Sequence, residues 1–209
     1  MTTSTQSTVL QVMQDRKSVR IYDDSHTISN EVLTKLLSDA TTAPSSSNLQ
    51  PWRFIVFNNK ASQQELRTIA YNQEQVETAS AVIAIIGNRD MHKRVERIYN
   101  QNVTEGHLSE AQRDMMIENT TKAYTAASDA ARTQIATFDT GLIAMQIMLL
   151  AKDQGLDTVA MGGFDKAKFH ERYELADYEF PAVLLSIGKA AGEAYGSSRI
   201  PVEELVTFK

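Results

Sequence analysis

Arg16, Ser18 and Arg20 set two guanidinium groups and a hydroxyl within five residues. Guanidinium forks match phosphate oxygens and a serine adds a further donor, so the trio suits a phosphate monoester; a surface basic cluster that binds nothing is the competing reading. Arg199, between Ser198 and Ile200-Pro201, can join the trio only if folding brings the two ends of the chain together. A second candidate is Pro44-Ser45-Ser46-Ser47-Asn48-Leu49-Gln50-Pro51-Trp52, which places hydroxyls and two carboxamides between two prolines, with the sole tryptophan directly after the second. Prolines lack a backbone donor and push their predecessors toward extended conformations, so the chain turns here and displays polar groups. A plain helix-to-strand loop and a binding loop both remain open. A third is Gly162-Gly163, where bare backbone can approach a ligand closely or simply turn.

Several chemistries are disfavoured. No GxGxxG opens a strand–helix unit and no GxxxxGK[ST] is present, which leaves dinucleotide-fingerprint and P-loop readings unsupported. The Ser45 to Ser47 cluster lacks a GxSxG elbow, and His170-Glu171 lacks the second histidine of HExxH. His26, His92, His107 and His170 therefore read as surface residues, and no metal is expected. Without cysteine there is no thiolate nucleophile or disulfide, which fits a cytoplasmic protein. A net charge of −5 with scattered Lys and Arg argues against nucleic acid. Lys93, Arg94 and Arg97, interleaved with Asp90 and Glu96, read as a solvated helix face. Met1 to Thr8 carries no secretory signal, and the apolar stretches Ala81 to Ile86 and Gly141 to Ala151 read as too short to span a bilayer, so a soluble protein is expected.

The elements that must position these groups follow from periodicity. Val9 to Asp15 reads as a short helix, and Ser29 as the N-cap of a helix whose Val32, Leu33, Leu36, Leu37 and Ala40 recur at helical spacing. Arg53 to Asn58 reads as a strand, Ala61 to Tyr71 and Glu74 to Ala79 as helical, and Ala81 to Gly87 as a buried strand. Asn88 to about Leu108 is polar and weakly patterned, whereas Ser109 to Arg132 holds good helix formers, an excursion over the core. Thr133 to Gln154 is apolar nearly all round and reads as a central buried helix stopped by Gly155. Asp157 to Phe164 reads as a short strand ending in the paired glycines Gly162-Gly163, Asp165 caps a helix to Tyr173, and Pro181 to Gly188 is a further buried strand. Helices between separated strands without regular alternation favour α+β.

Four stretches together resemble the nitroreductase family of flavin-dependent oxidoreductases: Arg16 to Tyr22, Ala43 to Trp52, Gly155-Leu156 leading to Met161-Gly162-Gly163-Phe164, and Arg199 with Pro201 to Val206. The resemblance implies an α+β nitroreductase-like fold, a central mixed or antiparallel sheet flanked by helices, in an intertwined homodimer with FMN at the subunit interface. Residues 1–209 would form one FMN-binding domain, with the excursion at about 88–132 and a tail from about 189 to 209 packing on the partner. It implies that Arg16, Ser18 and Arg199 hold the flavin phosphate and that Arg20 lies near the pyrimidine edge. Asn72 would read that edge with Gln75 beside it, the backbone at Gly162 and Gly163 would approach O4 and N5, and Lys17 and Met161 would complete the cofactor-binding set. Pro44, Ser45, Ser46, Asn48 and Gln50 would reach the other subunit's flavin. Gln75 and Ser197 stand where some members carry lysine, and Gly162 where some carry an acid. The implied activity is ping-pong hydride transfer from NADH or NADPH through the flavin to a small-molecule acceptor such as a nitroaromatic or quinone, with no catalytic side chain. Specialised chemistry of the same family, such as dehalogenation or flavin fragmentation, and non-catalytic flavin binding are the alternatives.

Overall fold

The computed structural model describes residues 8–209; the polar stretch Met1 to Ser7 lies outside the described residues. Its centre is a four-stranded antiparallel sheet in the order β1 (Trp52–Phe57), β2 (Ala81–Asn88), β4 (Glu179–Gly188), β3 (Asp157–Met161). Every residue of β2 is buried because both faces of that strand are covered. Alternation sends Ile83 and Ile85 toward α2 (Asn30–Ala40) and α7 (Asp129–Asp153), where Leu33, Leu36, Ile143 and Ile147 meet them. Val82, Ala84 and Ile86 face the opposite way, onto Leu66 and Ile69 of α3 (Lys60–Ile69) and Phe169 of α8 (Lys166–Arg172). The result is a three-layer α+β architecture in which replacing Ile85 by alanine is expected to cost about 2–5 kcal/mol. Gly87 is required by this packing, since a Cβ there would sit 2.3 Å from the ring of its cross-strand partner Phe180.

Local signals set the helix boundaries. Ser29 caps α2 by accepting from the Val32 amide, and Asp165 caps α8 by accepting from Lys168. Gly155 takes a left-handed φ of 75° directly after α7, as a C′ glycine does.

The structure corrects the sequence expectation in four places. A helix, α5 (Val95–Thr104), occupies the stretch read as weakly patterned. Two buried residues one turn apart, Val95 and Tyr99, are enough to dock it on a small satellite core with Leu49 and Met91. The helix expected over Ser109 to Arg132 ends as α6 (Glu110–Ala126), and Ser128 caps α7, which starts at Asp129 rather than Thr133. Arg132 joins the two by donating back to the Tyr124 and Ala127 carbonyls at 2.9 and 2.7 Å, so the end of α6 is satisfied by a side chain of α7. β4 begins at Glu179, two residues before the expected Pro181, and the proline is accommodated at a register shift opposite Ile85 and Ile86.

The fourth correction concerns α7. By length and composition it is apolar enough to cross a membrane, although its apolar stretch reads as too short, because the helix extends well beyond that stretch. It lies across the sheet with one face buried, and Phe138 on the opposite face is 65% exposed. Being apolar nearly all round therefore does not bury it all round within one chain.

Candidate functional site

The basic run enters the fold at an open sheet edge. α1 (Thr8–Asp15) ends immediately before Arg16, and the chain then runs beside β3, the edge strand. Ser18 forms a parallel bridge with Thr158, and the Val19 amide donates to the Thr158 carbonyl at 3.1 Å. Tyr22 bridges Ala190, and Ala191 donates to the Ile21 carbonyl at 2.9 Å. These bonds tie the segment leading out of β4 to the basic run, so the C-terminal tail departs from the same place. Arg199 is thereby delivered to a cleft of about 730 Å³ lined by Arg16, Lys17, Ser18, Arg20, Tyr195 and Ser197, among others.

Four cations thus share one cleft, and among the described residues none of them forms an ion pair. Lys17 donates to the Gln14 carbonyl at 2.7 Å, and Arg199 donates to Ser197 Oγ at 2.8 Å, contacts that leave their charges uncompensated. The Arg16 Nε is buried with no hydrogen-bond partner among the described residues. An orphaned guanidinium donor beside three other cations fits a polyanionic group such as a phosphate monoester.

The paired glycines sit at the far end of the same edge strand. Gly162 follows Thr158 by four residues, about 13 Å of extended chain. A Cβ at Gly162 or Gly163 would meet nothing within 4 Å, and neither residue has a left-handed φ, so nothing in this chain demands glycine there. Gln73 donates to the Gly163 carbonyl at 2.8 Å and brings the 72–75 turn against the glycines. Asn72 is exposed with φ 58°, and its carboxamide makes no hydrogen bond among the described residues. Gln75 is buried, and its amide donates to Gln73 Oε1 at 3.0 Å and to the sulfur of the equally buried Met161 at 3.3 Å.

The loop from Pro44 to Trp52 lies elsewhere. It leads into β1, at the opposite edge of the sheet from β3, about 14 Å away across three strand spacings. None of its residues lines the basic cleft. Ser47, Asn48 and Gln50 adopt left-handed φ values of 51°, 53° and 46°, a conformation that costs a non-glycine residue roughly 1 kcal/mol. The loop is held from outside. The Ser46 amide donates to Asp139 Oδ1 and Oδ2 at 3.1 and 3.0 Å, and its hydroxyl donates to Oδ1 at 3.0 Å. Tyr99 of α5 donates to the Ser47 carbonyl at 3.0 Å, Arg94 to the Gln50 carbonyl at 3.1 Å, and Leu49 is fully buried beneath the excursion helices. Arg94 is thus half-buried and engaged rather than part of a solvated face.

Asp139 lies on the buried face of α7 with no exposed surface. Burial raises its carboxyl above the usual carboxylate range, and the two kinds of bond from Ser46 pull in the other direction. In the sheet itself Arg53 of β1 grips Glu179 of β4 at 2.6 and 2.7 Å, and that bond is the main reason the Glu179 carboxyl is held below its ordinary range. Asp139, Tyr99 and Arg94 were not singled out by residue type. An acid in an otherwise apolar helix was the available signal for Asp139. The histidines are less exposed than expected: His26 bonds Ser80 Oγ at 2.9 Å, His92 stacks on Tyr124, and only His107 is fully at the surface.

A model of the Nitroreductase family matches residues 13–189. YdgI of Bacillus subtilis (strain 168), named as a candidate NAD(P)H nitroreductase, is 38% identical over 202 residues, 96% of this chain and 97% of its own. A candidate nitroreductase from Exiguobacterium sibiricum, crystallised in complex with FMN, is 37% identical, is covered over 100% of both chains, and has a TM-score of 0.93. An enone reductase of CLA biosynthesis from Lactiplantibacillus plantarum is 29% identical over 94% of this chain and 92% of its own.

Proposed function

The chain belongs to the Nitroreductase family, and from that membership we propose an FMN-dependent NAD(P)H oxidoreductase that reduces nitroaromatic, quinone or similar electrophilic acceptors in a ping-pong cycle. The four cations of the cleft, unpaired among the described residues, with the buried Nε of Arg16 that has no partner among them, carry the reading. Arg16, Ser18 and Arg199 would bind the flavin phosphate, and Lys17 adds charge at the rim. Arg20 would stand near the pyrimidine edge, where a fixed cation favours the negative charge of the reduced ring. The free carboxamide of Asn72 suits the same edge, while Gln75 and Met161 back the wall behind Gly162 and Gly163. Open space in front of the two glycines leaves room for a flat ring against bare backbone.

When bound, FMN supplies the redox chemistry by accepting hydride from the nicotinamide and passing it to the acceptor. The protein's part is to bind, orient and polarise, and no side chain is asked to act as acid or base. The partner subunit's copy of the Pro44 to Gln50 loop, with Ser45, Ser46 and Asn48, would close the site. A homodimer is supported by apolar surface that one chain leaves open, Phe138 on α7 and Ile200, Val202, Leu205 and Phe208 on the tail among it. The tail would then lie on the partner subunit and the whole chain would act as one FMN-binding domain in the cytoplasm.

The test is anaerobic mixing of the flavin-loaded protein with NADH or NADPH. The flavin absorbance is expected to bleach and then return on addition of a nitroaromatic, a quinone or an enone. Failure to bleach with either nucleotide would overturn the reductase reading.

A further inference from the structure

We propose that Asp139 is a positioning residue that acts across the subunit boundary, its buried carboxylate presetting the Pro44 to Gln50 loop for the flavin held in the neighbouring subunit's basic cleft. The inference rests on the reading of that cleft as the phosphate site. Asp139 has no exposed surface, makes no ion pair among the described residues, and directs every recorded polar contact at one residue, Ser46. The single Ser46 N–H sits between the two carboxylate oxygens, 3.1 and 3.0 Å from its nitrogen, so either oxygen can accept it and any group at either position lies against that donor. An asparagine in this place would set its NH2 donor against that N–H donor whichever way it turned, which favours a carboxyl here over a carboxamide.

Ser46 is the last anchored residue before the left-handed run at Ser47, Asn48 and Gln50. Tyr99 and Arg94 fix the carbonyls of Ser47 and Gln50 beyond it. The loop is therefore strained and held at both ends, yet it lines no part of its own chain's cleft. Strain held by a buried carboxyl, away from the chain's own ligand site, is what a surface shaped in advance for another molecule requires. A loop needed merely to connect α2 to β1 would relax.

Hybrid dimers test this directly. Full-length chains carrying Asp139→Asn, and chains carrying Arg16→Ala with Arg199→Ala, are co-expressed under two affinity tags and the mixed dimer is isolated. Each parental homodimer is expected to lose FMN retention, roughly tenfold for Asp139→Asn if one charge-assisted bond is lost. In the hybrid, one site combines an intact cleft with an intact partner loop and the other combines both defects. Half of the flavin sites are therefore expected to recover wild-type affinity and the visible spectrum of bound flavin. A purely structural role predicts no such recovery. Loss of flavin in both homodimers without recovery in the hybrid would overturn the action across the boundary. Unchanged FMN affinity in Asp139→Asn would overturn the positioning role while leaving the cleft intact. Unchanged affinity in the double arginine variant would instead overturn the phosphate reading and the proposal with it. Should Asp139→Asn not fold, Asp139→Ser removes the carboxylate from α7 without touching any loop residue and gives the same complementation test.

Discussion

The basic cleft and the Pro44 to Trp52 loop are both rich in polar groups, and they treat them in opposite ways. In the cleft Arg16, Lys17, Arg20 and Arg199 converge with no carboxylate lining it among the described residues, and one buried guanidinium nitrogen has no partner among them. Around the loop, Ser45 Oγ, Asp139, Tyr99 and Arg94 meet its polar groups, although three of its residues are strained. The cleft is organised like a receptor whose complement is a separate anion. The loop is organised like a finished surface, its shape decided before anything touches it. Binding strength and preorganisation are thus assigned to different parts of the chain, each supported by different elements.

Replacing Arg16 and Arg199 together by alanine is expected to weaken FMN binding by about 2–5 kcal/mol with little change in fold stability, measured by flavin titration and thermal melting. A variant that lost stability instead would break the contrast, because it would mean those cations have structural partners. Leu49→Ala should do the reverse. Removing a fully buried side chain from the satellite core is expected to cost about 2–4 kcal/mol of stability in urea titrations, with the excursion loosening first in hydrogen exchange.

The pH dependence separates two other buried acids. Glu179 is held below its ordinary range by Arg53, so its contribution is present at neutral pH and lost as pH falls through its folded-state pKa. Glu179→Gln should therefore cost about 1 kcal/mol at pH 7 after solvent screening of the exposed side of Arg53, and progressively less as pH falls through the folded-state pKa of Glu179. Asp139 is raised by burial, so its ionisation opposes folding, and the wild type should gain stability relative to Asp139→Asn as pH falls toward the usual carboxylate range. Equal slopes for the two variants would remove the distinction between a paired acid and a buried anchoring one. The smallest effect is expected at Gly162. A Cβ there meets nothing, so Gly162→Ala should change stability by no more than about 0.5 kcal/mol, and a larger fall in flavin affinity than in stability would mark the glycine as kept for a ligand.

Much of the scaffold was written in short-range patterns. The Ser29 cap, the apolar run of β2 and the stop at Gly155 each depend on neighbours a few residues away, and each stands where the pattern put it. α5 was not legible, because Val95 and Tyr99, with only the partly buried Ile98 beside them, make its apolar face and their partner Leu49 is far away in sequence. The break between α6 and α7 was missed because good helix formers continue through it and only the Ser128 cap interrupts them.

The chain's order alone determined which residue types were available to hold an anion, where the backbone must turn, and which strands must be buried on both faces. Tertiary structure decided which of those residues share a site. Arg199 meets Arg16 because strand-like bonds tie residues 190–191 to 21–22, a pairing across most of the chain's length that no local pattern encodes. Asp139 faces Ser46 because α7 crosses the sheet at the angle its core allows. The loop stands apart from the cleft because β1 and β3 occupy opposite edges of one sheet. Spacing along a chain sets local conformation through bonds of a few residues' reach, whereas the company a charge keeps is set by packing, which becomes defined only when the whole core closes.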